Sequence, residues 1–143
     1  GFDGSKGAQA AVEKVAACTW REYSEIRLIV ATEEVRPSAI GRFIPPITHL
    51  VKEVNESERE WIEKLADDAL KTLQSSGTLA SLHIHAGNPK EVLIDEAERW
   101  NADCIFVGAN AFGSRVERFL LGSTSAAVAA RAHCSVEVVR QQA

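Results

Sequence analysis

The chain has 143 residues, of which 45% are hydrophobic and 25% charged, and its formal net charge is -4. This size and composition favour a single globular domain over residues 1–143. The acidic balance argues against a nucleic-acid-binding protein, which needs clustered Lys and Arg. No stretch approaches the roughly 20 apolar residues that span a bilayer, so we expect no membrane contact and a cytoplasmic location.

Cysteine and histidine patterns give little support for a metal site. The three cysteines, Cys18, Cys104 and Cys134, have no metal-type spacing, and we expect them to be reduced. His83 and His85 share one face of a predicted strand, but no third ligand accompanies them. The sequence therefore predicts no bound metal on the protein itself.

The first half of the chain begins with a helix. Apolar residues at helical spacing predict this helix over residues 7–20, with Ser5 as its N-cap. A β-branched apolar run predicts a buried strand over residues 25–32. Residues 33–46 carry three prolines and a glycine, which predict an irregular loop. Residues 47–77 then predict one long helix or two broken ones.

The second half continues the alternation of strand and helix. The predicted elements are a strand at 79–87, a helix at 89–103, a strand at 104–109, a helix at 122–132 and a strand at 135–140. Strict alternation predicts a doubly wound parallel sheet with helices on both faces. Because the order starts with a helix, we expect the first central strand to be missing from this sequence, with only Gly1 and Phe2 left of it.

Two segments of such a sheet are candidates for a ligand site, because ligands bind beyond the carboxyl ends of the strands. They are residues 1–7 and the loop from Gly108 to Thr124. Gly122 and the hydroxyl residues after it start a helix whose free N–H groups favour a phosphate. The alternative is that these hydroxyls only cap an alanine-rich helix. Asp3 likewise either accepts a hydrogen bond from a ribose or base, or makes ordinary turn chemistry.

Three segments together resemble the universal stress protein family, within the adenine nucleotide alpha hydrolase-like superfamily. They are "FDGSKGAQAAVEKVA", "GNPKEVLIDEAERWNADCIFVGA" and "FLLGSTSAAVAARAHCSVEVVR". The resemblance implies a five-stranded, doubly wound parallel sheet. It also implies a homodimer formed through the last strand, Ser135–Arg140, and a place in either the ATP-binding or the non-ATP-binding group of the family.

The glycine loop nearly follows the pattern of the ATP-binding group, which is Gly, two residues, Gly, nine residues, Gly, then Ser or Thr. Anchored on Gly108, the pattern puts Ala111 at the second glycine and leaves ten residues before Gly122. Anchored on Gly113, it leaves eight residues and puts Asn110 at the first glycine. Either register departs from the pattern by one residue.

The resemblance implies an adenine-nucleotide site with three parts. Asp3 lies on the base and ribose side, the end of the first predicted strand lines the adenine, and Gly122, Ser123 and Thr124 lie on the phosphate side. The implied residues are Asp3, Val30, Ala31, Thr32, Gly108, Ala111, Gly113, Gly122, Ser123 and Thr124. Mg²⁺ would be held through the phosphates of ATP.

Three functions follow from these patterns. The first is a dimeric stress-response or signalling module that binds ATP. The second is a dimeric stress or scaffold protein that binds no ATP. The third, an ATP pyrophosphatase-like enzyme, requires an S-G-G-x-D-S-type loop that "GFDGSKG" does not supply. No general base for phosphoryl transfer is evident, so we expect no catalytic residue and at most slow ATP hydrolysis.

Overall fold

The computed structural model describes residues 1–33, 45–109 and 121–141, with side chains of the long helix described from residue 56. Helices and strands alternate along these ranges, as the sequence predicts. The elements are α1 (Lys6–Ala17), β1 (Glu25–Thr32), α2 (Pro45–Ser75), β2 (Leu79–Ala86), α3 (Pro89–Trp100), β3 (Cys104–Gly108), α4 (Ser123–Arg131) and β4 (Ser135–Val139).

Helix α2 settles one open alternative in the sequence analysis. It is a single helix of 31 residues rather than two broken ones. It starts at Pro45, inside the stretch predicted to be a loop, because proline is well suited to the first position of a helix. Gly77 follows its end with a φ of 83°, a left-handed conformation that glycine adopts at little cost. Residues 34–44 lie outside the described part of the chain.

The described strands pair in parallel, which confirms the predicted strand direction. β1 pairs with β2, with Glu25 opposite Leu79, and β3 pairs with β4, with Cys104 opposite Ser135. The described strands thus form two two-stranded sheets.

Residues at the start of the chain connect the two sheets. The Phe2 N–H donates to the Ile29 carbonyl of β1 at 2.9 Å, and the Gly1 amino group donates to the Phe106 carbonyl of β3 at 2.8 Å. Gly1 and Phe2 therefore run between β1 and β3.

Helices cover both faces of β1. Leu28 and Val30 pack into a cluster with α1 and α2, whereas Ile29, which lies between them in sequence, packs with α3 and α4. Val30 of the first cluster and Val128 of the second are fully buried. Each such side chain stabilises the fold by about 1.5–3 kcal/mol. Apolar burial on both faces explains why the strands read as continuous apolar runs.

No helix among the described residues is long and apolar enough to cross a membrane. The same residues contain no cluster of three His, Cys, Asp or Glu side chains able to hold a metal ion. The rings of His83 and His85 stack with their centroids 6.4 Å apart. Burial raises the pKa of the Cys104 and Cys134 thiols, and all three cysteines are free.

Candidate functional site

A cavity of about 430 Å³ lies where β1 and β3 end. The carboxyl ends of the two strands contribute to its wall, together with the first residues of the chain and the starts of three helices. Its lining includes Asp3, Ser5, Ala8, Ala31, Pro89, Gly108, Ala109, Leu121, Gly122, Ser123, Thr124 and Ser125. This is the position at which a doubly wound sheet binds its ligands.

Most of the site residues expected from the sequence meet at this cavity. Those that line it are Asp3, Ala31, Gly108, Gly122, Ser123 and Thr124. Val30 lies elsewhere, because its side chain is fully buried in the core cluster beneath α1 and α2. Thr32 lies at the end of β1, and its hydroxyl donates to the His85 carbonyl at 3.4 Å. Ala111 and Gly113 lie outside the described residues.

The starts of α1, α3 and α4 all open onto the cavity, through Ser5, Pro89 and Ser123 respectively. A helix start presents unpaired N–H groups and the positive end of the helix dipole, so the three helices together favour an anion. Two of these starts are capped by side chains. The Ser5 hydroxyl accepts from the Ala8 N–H at 3.1 Å, and the Asn88 side chain accepts from the Lys90 N–H at 3.0 Å.

The start of α4 has no such cap. Its N-cap residue is Gly122, and no side chain of the described residues caps the first turn. The Ser125 hydroxyl donates instead to the carbonyls of Ala109 at 3.2 Å and Gly122 at 3.0 Å. Of the three helix starts, α4 is the one whose first turn has no side-chain cap among the described residues.

One carbonyl holds together the two ends of the loop between β3 and α4. The Ala109 carbonyl accepts from the Gly122 N–H at 2.6 Å and from the Ser125 hydroxyl. The Ala109 N–H donates in turn to the Val139 carbonyl of β4 at 2.8 Å. These bonds fix the start of α4 against the ends of β3 and β4.

Gly108 serves a packing role at this point. A Cβ atom there would lie 2.3 Å from the Gly7 carbonyl carbon and 2.7 Å from the Ala8 nitrogen, both in the main chain of α1. Main-chain atoms cannot rotate away as a side chain can. Gly108, which the resemblance places in the nucleotide site, is thus required by the contact between β3 and α1.

Asp3 forms a hydrogen-bonded turn, which is one of the two roles that the sequence allowed for it. Its Oδ1 atom accepts from the Ser5 N–H at 2.9 Å. Gly4, in the middle of this turn, has a φ of 76° and packs against Ile62 and Leu65 of α2. The Asp3 carboxylate is exposed, and its Oδ2 atom accepts no hydrogen bond from the described residues. The turn therefore orients the carboxylate without using all of its acceptors.

The described part of the cavity wall carries little charge. Asp3 has the one ionisable side chain among the described lining residues. Among the described residues, an anion in the cavity would be met by helix N–H groups and hydroxyls.

Sequence reasoning missed several lining residues. Pro89 and Ser125 are the clearest cases. The Gly-Asn-Pro stretch after β2 marked a helix start, and the second serine of Ser-Thr-Ser lies one turn inside α4. Both residues were recognised as parts of helix starts, but their meeting at one cavity depends on the folded structure.

The fold is that of a Rossmann-like α/β protein, with a cavity at its strand ends. Residues 1–140 match the Universal stress protein family, and the chain belongs to that family.

Known proteins similar to this chain include one relative by sequence and two solved structures that share its fold. Universal stress protein Sll1388 of Synechocystis sp. is 24% identical over 97% of this chain and 94% of its own length. The solved structure of hypothetical protein MJ0577 is 23% identical, with a TM-score of 0.81 over 99% of this chain and 92% of that one. A universal stress protein solved in complex with cAMP is 21% identical, with a TM-score of 0.63 over 96% of this chain and 90% of that one.

Proposed function

We propose that this protein binds an adenine nucleotide, ATP, in the cavity at the ends of β1 and β3. The observation that carries the proposal is the start of α4, which has no side-chain cap within the described ranges and opens onto a cavity of about 430 Å³. This volume falls within the range of about 300–1,000 Å³ typical of small-molecule sites. A related protein of the same fold was solved with cAMP, which is also an adenine nucleotide.

The proposed orientation follows from the chemistry of the wall. The phosphates lie at the first turn of α4, where Ser123 and Thr124 add hydroxyl donors. The adenine and ribose lie toward Ala31 and Asp3, because the carboxylate there favours hydroxyl and amine donors over phosphate oxygens. Mg²⁺ is bound through the phosphates. The protein acts as a binding module for stress response or signalling, with ATP hydrolysis slow at most.

Replacing Asp3 tests the ribose side of the site. Asp3→Asn keeps an oxygen that accepts from the Ser5 N–H, so we expect an unchanged free energy of unfolding. Loss of the charged acceptor should weaken ATP binding about tenfold, since a hydrogen bond to a charged group contributes about 1.5–3 kcal/mol. Asp3→Ala loses the turn as well and should weaken binding further. Isothermal titration calorimetry with ATP measures both; equal affinity in all three proteins would show that Asp3 serves only the turn.

A second candidate function is a stress or scaffold protein that binds no ATP. The one-residue departure of the glycine spacing from the ATP-binding pattern favours it. In that case the first N–H groups of α4 would bind water and not a nucleotide phosphate. The two functions differ in one observable, which is heat released on titration with ATP.

We also propose a homodimer formed through β4. This strand pairs with β3 on one side, and Val136 and Val138 pack only partly into the core. Because the Val139 carbonyl is directed to the β3 side by its bond to the Ala109 N–H, the N–H of Val138 points to the open edge. An open apolar edge favours pairing with a second copy.

Val138→Pro removes this outward N–H without removing a bond to β3. We expect the dimer measured by light scattering at micromolar concentration to become a monomer, while circular dichroism shows the same fold. Val138→Ala is the matched control, because it shortens the side chain and keeps the N–H. A dimer that survives the proline would place the interface elsewhere.

Finally, we propose that the described strands belong to one sheet of five parallel strands. The hydrogen bonds of Gly1 to β3 and of Phe2 to β1 support this arrangement, since consecutive residues bond to opposite neighbours. The fifth strand would lie between β1 and β3.

A further inference from the structure

The side chain of Glu33 lies next to the cavity at the strand ends, one position beyond the site residues expected from the sequence. Glu33 directly follows Thr32, the last residue of β1. Side chains two residues apart along a strand point to the same face of the sheet, and Ile29 and Ala31 both line the cavity. Glu33 continues this series, so the alternation directs its side chain to the cavity face.

A hydrogen bond to the start of α3 agrees with this direction. The Asn88 Nδ2 atom donates to the Glu33 Oε1 atom at 2.9 Å. Asn88 is the N-cap residue of α3, and the next residue, Pro89, lines the cavity. The Glu33 carboxylate therefore lies at the rim of the cavity, between the end of β1 and the start of α3.

The turn that holds this carboxylate is itself fixed. The Gly87 N–H donates to the Thr32 carbonyl at 3.1 Å, which ties the turn before α3 to the end of β1. The Asn88 Oδ1 atom accepts from the Lys90 N–H at 3.0 Å. Because the cap holds one end of the Asn88 amide group, the other end presents its nitrogen to the carboxylate in one orientation.

One oxygen of the Glu33 carboxylate is available to a ligand. Oε1 accepts from Asn88, whereas Oε2 accepts no hydrogen bond from the part of the chain that the structure describes. An ionised carboxylate accepts hydrogen bonds and donates none. Oε2 therefore favours a ligand group that donates, and it repels a phosphate oxygen.

The adenine ring of ATP has one such donor, its 6-amino group. The orientation proposed above places the adenine toward Ala31, on the side of the cavity where Glu33 lies, and the phosphates at α4. We propose that Glu33 determines specificity, because its Oε2 atom accepts a hydrogen bond from the 6-amino group of the nucleotide. Asn88 is the positioning residue that holds the carboxylate. This inference rests on the proposed function.

The test measures the preference of the protein for the amino group itself. The two probes are ATP and purine riboside 5′-triphosphate, which has a hydrogen atom in place of the 6-amino group and is otherwise identical. Isothermal titration calorimetry with Mg²⁺ gives both affinities. We expect ATP to bind about tenfold more tightly or better, as for a hydrogen bond to a charged group. Equal affinities would overturn the proposal.

Glu33→Gln removes the acceptor and keeps the turn. The glutamine oxygen still accepts from Asn88 Nδ2, so its NH₂ group takes the place of Oε2 and offers donors to the base. We expect the preference for ATP to disappear, with the affinity for the analogue unchanged. A purely structural role would weaken the binding of both probes and leave their ratio unaltered, and that result would overturn the proposal.

Glu98→Gln is the matched control. Glu98 is exposed near the carboxyl end of α3, away from the helix start that opens onto the cavity. The substitution removes the same charge, and we expect both affinities to equal those of the unsubstituted protein. A loss of the ATP preference in this variant as well would assign the effect to net charge and overturn the contact with Glu33.

Asn88→Ser tests the positioning role. Serine caps a helix about as well as asparagine, so the start of α3 should be retained, but serine lacks the amide nitrogen that holds Glu33. We expect an ATP preference between those of the unsubstituted protein and of Glu33→Gln. A full preference would overturn the role of Asn88.

Failure of the proposed function gives a different result in the same titrations. If neither triphosphate binds to the unsubstituted protein, the cavity is not a nucleotide site, and both proposals are overturned. If both bind with equal affinity, nucleotide binding stands and the role of Glu33 is overturned.

Discussion

Gly122→Asp is expected to abolish measurable ATP binding while leaving the fold intact. Gly122 has φ -60° and ψ 154°, which any residue adopts, so the substitution introduces no backbone strain. The new carboxylate would cap the free N–H groups of α4 and place a negative charge where the phosphates would lie. Hydrogen bonds to charged groups contribute about 1.5–3 kcal/mol, so the affinity should fall about 100-fold. Isothermal titration calorimetry measures this loss.

Gly122→Asn is the control for this substitution. Asparagine caps a helix about as well as aspartate but carries no charge. We expect an affinity loss of about tenfold in this variant. Both variants should unfold within about 0.5 kcal/mol of the unsubstituted protein, because glycine at an N-cap costs only a few tenths. An aspartate variant that binds ATP normally would show that the phosphates do not lie at α4.

Gly108→Ala is expected to produce the largest loss of stability. The added Cβ would overlap the main chain of α1 at Gly7 and Ala8, so β3 and α1 must separate. Overpacking of this kind costs about 1–3 kcal/mol, and contact with main chain favours the upper end. A loss of about 3 kcal/mol corresponds to a fall in melting temperature of about 10 °C for a domain of this size.

Gly77→Ala separates this steric effect from backbone strain. Gly77 has a φ of 83°, but no atom lies within 4 Å of the position that an added Cβ would take, so its cost comes from conformation alone. We expect a loss of about 1 kcal/mol. Urea unfolding of both variants measures the difference. Equal losses at the two positions would contradict the close contact between β3 and α1.

Much of the fold could be predicted from the sequence, because the signals were local. Apolar runs such as residues 25–32 marked buried strands, and Pro89 marked the start of a helix within one residue. The start of α2 at Pro45 could not be predicted, since proline followed by proline is typical of loops as well as of a first helical turn. The pairing of β1 with β2 and of β3 with β4 depends on contacts between distant segments, which no local pattern specifies.

The candidate site was predictable in part. Gly122 and the hydroxyl residues after it were recognised because a glycine followed by Ser-Thr is a local signal for a helix start. Val30 was expected at the site because the resemblance implied that the strand end, Val30 to Thr32, lines the adenine. Successive side chains of a strand point to opposite faces, and this alternation sends Val30 into the core while Ala31 lines the cavity. Pro89 comes to the cavity only through the fold.

The measurement that tests nucleotide binding most directly is thermal unfolding with ATP and Mg²⁺, with GTP in place of ATP as the control. Binding to the folded state adds about 2.7 kcal/mol when the ligand is at a hundred times its dissociation constant. The proposed site predicts a rise of several degrees in melting temperature with ATP and none with GTP. No rise at millimolar ATP, or an equal rise with GTP, would contradict an adenine-nucleotide site.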